Sequence, residues 1–127
     1  MTADAGETVE NEIATLATRY VDAWNNHDLD GIMALHAADT TYQIDGQGPV
    51  YRGKVEVRAT FERQLASVSD LRFELKSLFL GRDHIVFEAS IAGIRRGSEP
   101  LNLCGIDLIT VRDGAIADKH SYAVAAR

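Results

Sequence analysis

The chain has 127 residues, 46% of them hydrophobic and 25% charged, which is the make-up of one globular domain with one core. Thirteen Lys and Arg against nineteen Asp and Glu give a net charge of −6 with no basic cluster, so a phosphate backbone is not an expected partner. The lone Cys104 excludes an internal disulfide and a cysteine-based metal site, and no apolar run nears the roughly eighteen residues of a membrane span.

From Glu7 onward, Ile13, Leu16, Ala17, Tyr20, Val21 and Trp24 recur at helical spacing and form one apolar stripe. Glu7, Glu10 and Glu12 sit near its start, where they complement the helix dipole. Asn25-Asn26-His27-Asp28 ends this helix, and Asp28 is the expected N-cap of a second. The second helix carries Leu29, Ile32, Met33 and His36 on one face and is expected to stop near Ala38-Asp39. Thr40–Asp45 reads as a strand broken by Gly46-Gln47-Gly48-Pro49, with Val50-Tyr51 pairing back as a short hairpin. A third helix follows Gly53, with Val55, Ala59, Phe61 or Glu62, and Leu65 along its apolar side.

After Asp70 the period changes to two. Leu71, Phe73 and Leu75 alternate with Arg72, Glu74 and Lys76, the pattern of a half-buried antiparallel strand. His84–Ile94, Leu101–Val111 and Ala115–Val124 read as three further strands, the last two joined by the Asp113-Gly114 pair favoured in tight hairpins. Three helices followed by a curved antiparallel sheet make an α+β layout in a single domain over 1–127, with 1–6 a flexible N-terminus. Met1–Glu10 is acidic and lacks the basic and apolar regions of a signal peptide, so a cytoplasmic location is the default and no membrane partner is expected.

Several chemistries have no motif here. The chain contains no GxGxxG before a helix, no GxxxxGK[ST] and no GxSxG, and His27, His36, His84 and His120 show no metal-ligand spacing. No cofactor or metal is expected. What stands out is a set of polar residues at positions where a core should be apolar. Tyr20 lies in the stripe of the first helix one turn before Trp24, and His36 lies on the apolar face of the second. Asp107 interrupts a strand in phase with Leu101, Leu103, Ile109 and Val111. A carboxyl on the inner face of a strand costs several kcal/mol unless it is neutralised or paired, and functional sites arise under those conditions. The last strand has two readings. Bulk favours Ile116, Asp118, His120, Tyr122 and Val124 as its inner face, whereas Ala117, Lys119, Ser121 and Ala123 suit a face turned to a cavity.

The stretch from Arg19-Tyr20-Val21-Asp22-Ala23-Trp24 through Ala37-Ala38-Asp39 resembles the opening helix pair of SnoaL-like proteins, of the nuclear transport factor two-like superfamily that includes ketosteroid isomerases. Tyr51-Arg52-Gly53-Lys54 resembles that family's entry to the third helix, and Ser69–Glu74 and Ile109–Ile116 resemble its later strands. The resemblance implies a cone-shaped barrel in which a strongly bent sheet wraps three helices around a pocket, and a homodimer formed through the outer sheet face. It also implies roles. Tyr20 falls where the isomerases place an oxyanion-hole tyrosine, and Asp107 where they place a protonated acid that donates the second hydrogen bond. Ile44 stands where the general base is expected, with Asp45 one residue later and brought inward only by a bulge at Gly46.

These readings converge on a cofactor-independent acid–base enzyme of isomerase, cyclase or dehydratase type, acting on a small hydrophobic cyclic carbonyl compound. Tyr20 and Asp107 are its expected oxyanion donors, and Asp45, His36 or His120 its proton carrier. Trp24, Tyr42, Phe61, Phe87 and Tyr122 are the expected pocket wall. Resemblance to SnoaL-type cyclases assigns the acidic role to Asp107 or to Asp118 with His120. An epoxide-hydrolase arrangement requires Asp107 with Asn102, which lie on opposite strand faces. The rival reading, motivated by Ile44 at the base position, is a binding or accessory module of the same fold without turnover.

Overall fold

The computed structural model describes residues 5–126. The flexible N-terminus expected over residues 1–6 lies outside them up to residue 4, and Ala5 already opens the first helix. Helix α1 spans Ala5–Asn25, α2 Leu29–Ala34 and α3 Gly53–Ser67, and six strands follow the order β1 His36–Ile44, β2 Gln47–Arg52, β3 Val68–Leu80, β4 His84–Arg95, β5 Glu99–Arg112 and β6 Ala115–Ala125. The strands form one open sheet in the order β2-β1-β6-β5-β4-β3. Expected as wholly antiparallel, the sheet is mixed: β1 runs parallel to β6. No helix among the described residues is long and apolar enough to cross a membrane.

The stripe of α1 is buried as its spacing requires, with Tyr20 fully enclosed. Asn25 fastens the end of this helix to β3: its side-chain amide donates to the Phe73 carbonyl at 3.0 Å and its oxygen accepts the Phe73 N–H at 2.7 Å. The Asp28 carboxylate caps α2 by accepting the Gly31 N–H at 3.0 Å. This helix stops earlier than its apolar pattern suggests. Leu35 closes its last turn, and the Leu35 carbonyl accepts the Ile116 N–H of β6 at 2.8 Å, so sheet pairing takes over and His36 begins β1 instead of continuing α2.

Two hairpin turns follow from Asp-Gly pairs. Asp45 and Gly46 have φ of 55° and 65°, the left-handed pair of a type I′ turn, and Ile44 faces Gln47 across it. The break expected over Gly46–Pro49 is therefore only these two residues, and Pro49 sits within β2, an edge strand that tolerates a missing donor. In α3, Val57, Thr60 and Phe61 face the core, whereas Val55 is 85% exposed, so the inward face is rotated from the expected one.

The phase of β6 is settled by a bulge. Val111 pairs with Ile116 and Thr110 with Asp118, which leaves Ala117 without a partner; Ile116 and Ala117 are consecutively buried. Past that point the inward set is Lys119, Ser121 and Ala123, whereas Asp118, His120 and Val124 point outward and Tyr122 stands half-exposed at the cavity rim. The reading favoured by bulk is corrected from Asp118 onward. β5 has no such slip. Leu101, Gly105, Ile109 and Val111 are buried and Ile106 and Leu108 exposed, so Asp107 points inward as its phase predicts.

Candidate functional site

Residues from α1, α3 and strands β1, β3, β4, β5 and β6 enclose one cavity of about 230 Å3, which requires the sheet to curl around it. Its walls are mostly apolar: Leu71, Phe73, Phe87, Ile91, Leu101 and Leu103. Polar groups gather at one end, where Asp107, Lys119 and Ser121 line the cavity together.

Lys119 is the centre of this end, although it is one of the chain's most buried polar residues. Its ammonium donates to the Tyr20 hydroxyl at 3.0 Å and stands 3.7 Å from Asp107 Oδ2. Four rings surround it, with Trp24, Tyr20, Phe61 and Tyr42 centroids 4.7, 4.9, 5.0 and 5.5 Å from Nζ. Each ring face attracts a desolvated cation by about 0.5–2 kcal/mol. Burial by itself lowers the lysine's pKa, but the oxygens of Tyr20, Asp107 and Tyr42 outweigh it and hold the ammonium above the usual lysine range. The site thus carries a fixed positive charge. Asp107 accepts from Ser121 Oγ at 2.5 Å through Oδ1, which leaves Oδ2 turned to the ammonium.

Behind the lysine runs a hydrogen-bond chain whose direction can be deduced. Tyr20 Oη accepts from Lys119 and lies 3.0 Å from His36 Nε2. Burial raises the Tyr20 pKa against the pull of Lys119, so the phenol is neutral and its proton points at His36. Burial, together with repulsion from Lys119 and Lys54, lowers the His36 pKa to about 3. The imidazole is therefore neutral at physiological pH, accepts at Nε2, and donates through Nδ1 to Thr40 Oγ1 at 2.7 Å.

The expected site residues fall into two groups. Asp107, Trp24, Tyr42, Phe87 and Tyr122 line the cavity, Tyr122 at the rim with its ring against Gly46. Tyr20, His36 and Phe61 do not reach it and form a second layer around Lys119, where the Tyr20 hydroxyl is already engaged by Lys119 and His36. The proposed proton carriers are not brought to the cavity. No bulge turns Asp45 inward: it is exposed in its turn and accepts the Ala123 N–H at 3.0 Å. Outward-pointing His120 pairs with Asp118 at 2.8 Å, and Asp118 also accepts from Thr41, so this pair does not take the cyclase-like role at the cavity. Asn102 is exposed on the far face from Asp107. Ile44, at the expected base position, lines the cavity as an apolar residue.

Lys119 was not among the expected site residues. The available signal was the small-residue set Ala117, Ser121 and Ala123 around one long cation, but reading it as inward requires the bulge. Among the described residues no group of three or more His, Cys, Asp or Glu is placed to hold a metal.

Comparison with known proteins agrees with this geometry at the level of fold. Residues 17–119 match the family model of the SnoaL-like domain. No curated protein matches the chain. Among solved structures, a proposed SnoaL-like polyketide cyclase from Jannaschia superposes with a TM-score of 0.83 at 13% identity, covering 97% of this chain and 90% of that one. A ketosteroid isomerase-like protein from Catenulispora acidiphila, solved with trimethylamine, gives 0.76 at 22% identity over 84% and 83% of the two chains. An LEH-like epoxide hydrolase from M. tuberculosis gives 0.77 at 18% identity over 91% and 84%.

Proposed function

The chain belongs to the SnoaL-like domain family, and we propose that it is a cofactor-independent acid–base enzyme that removes a proton next to the carbonyl group of a small, mostly apolar ring compound. The observation that carries this reading is the Asp107–Lys119 pair at the polar end of an otherwise apolar cavity. A carboxylate and an ammonium 3.7 Å apart match the two ends of an enolisable ketone. In the reaction the C–H bond breaks and its proton passes to Asp107 Oδ2. The electron pair moves onto the carbonyl oxygen, and the Lys119 ammonium stabilises the resulting enolate. Isomerisation and aldol-type ring closure both begin with this step.

The roles differ from those the resemblance implied. Asp107, paired with an ammonium and accepting from Ser121, acts as the base and not as a neutral donor. Lys119 takes the oxyanion role, and Tyr20 is a positioning residue that holds it through the His36–Thr40 chain.

The test is exchange of the α-protons of 2-tetralone in D2O, followed by proton NMR. Wild type accelerates exchange over buffer, and Asp107→Asn slows it by about 10²-fold or more, the usual scale of a general base. Buffer-level exchange with wild type, or exchange indifferent to Asp107→Asn, refutes the reading. That result favours the same fold as a binding protein, for which the specific support is that Asp45, His36 and His120 all lie away from the cavity.

The reading includes a homodimer through the outer face of the sheet. Phe79, Val86, Leu108 and His120 align across β3, β4, β5 and β6, with Ile106 beside them. Phe79 is 64% exposed and Ile106 and Leu108 about 40%, an apolar row that a second copy would cover.

A further inference from the structure

The polar end of the cavity has more donors than acceptors. An ammonium carries three N–H groups. One of those on Lys119 reaches Tyr20, and Asp107 Oδ2 at 3.7 Å is beyond hydrogen-bond length for the other two. Buried donors left without partners cost about 1–3 kcal/mol each, and a native site does not keep several without reason. A ligand that brings an oxygen acceptor satisfies them, whereas a hydrocarbon leaves them unmet.

Volume sets the second condition. About 230 Å3 lies below the roughly 300–1,000 Å3 of pockets that take drug-sized ligands. That is the space of a one- or two-ring skeleton. Leu71, Phe87 and Leu101, which line it, are themselves buried core residues, so widening the cavity there disrupts a close-packed interior.

We infer that the ligand is a one- or two-ring compound whose oxygen is held by Lys119, and that four-ring compounds of steroid or anthracycline size do not fit within the cavity. The inference concerns the same cavity as the proposed reaction and rests on that placement of the site, but it does not depend on turnover.

Isothermal titration of the wild-type chain with 2-naphthol, naphthalene and estrone tests both conditions. 2-Naphthol is expected to bind at least tenfold more tightly than estrone, a phenol of the same chemistry on four rings. It is also expected to bind at least tenfold more tightly than naphthalene, which has the size but no oxygen. Lys119→Met abolishes the preference for naphthol over naphthalene. Estrone binding as tightly as 2-naphthol overturns the size limit, and naphthalene doing so overturns the oxygen anchor. Absence of 2-naphthol binding overturns the ligand class altogether. Selective 2-naphthol binding without 2-tetralone exchange leaves this inference standing and removes the proposed reaction. Catalysed exchange together with tight estrone binding does the reverse.

Discussion

The buried imidazole of His36 makes the stability of this protein depend on pH in a direction the structure fixes. In the unfolded chain a histidine titrates near the ordinary value of about 6.5, whereas in the fold burial and the neighbouring Lys119 and Lys54 hold His36 at about 3. Its folded pKa is the lower one, so its contribution to stability is complete above about pH 6.5 and is lost as pH falls toward 3, where the unfolded state binds a proton that the native state refuses. Each unit of that window is worth about 1.4 kcal/mol. Between pH 7.5 and 4.5 the expected loss is therefore about 2.5 kcal/mol, against a total stability of about two to six times that size for a typical domain. Urea unfolding of wild type and His36→Gln at both pH values isolates the effect, because other titrating groups are common to both proteins. Glutamine keeps an acceptor for Tyr20 and a donor for Thr40 but does not titrate. The wild-type loss is expected to exceed that of the variant by about 2–3 kcal/mol, an extra midpoint shift of about 1–2 M for a slope within the usual 1–3 kcal/mol/M. Equal losses refute the argument, as does a nitrogen-15 spectrum in which His36 is protonated at both nitrogens at pH 7.

Two other outcomes follow from the same geometry. Lys119→Met leaves the Asp107 carboxylate, whose side chain is only 14% exposed, without its cation, and should cost about 3 kcal/mol in urea unfolding at pH 7; adding Asp107→Asn should recover at least 1 kcal/mol of that loss, and additive single effects would show that the pair does not interact. For the outer face, sedimentation of wild type at micromolar concentration should give a dimer and Leu108→Lys a monomer, and a monomeric wild type removes the dimer from the reading.

Much of the architecture follows from local sequence signals. The stripe of α1, the Asp28 cap and the period-two strands are each set by residues within a few positions of one another, so spacing alone locates them. The inward phase of Asp107 is of the same kind, since β5 runs without a slip and parity carries from Leu101 to Val111. The end of α2 is not local. It depends on Ile116, distant in the chain, pairing with the Leu35 carbonyl, and that contact moves His36 from a helix face to the start of a strand. The inward turn of Lys119 depends likewise on a single unpaired residue, Ala117, because one extra residue in a period-two strand exchanges its two faces. Side-chain bulk argues for the other face, and the cage of Tyr20, Trp24, Tyr42 and Phe61, assembled from α1, β1 and α3, together with Asp107 of β5, makes a buried ammonium tolerable there. The sequence by itself determined the fold and one half of the polar pair, Asp107. Tertiary structure decided the other half, because whether a charge can be buried is settled by partners brought together from separate parts of the chain.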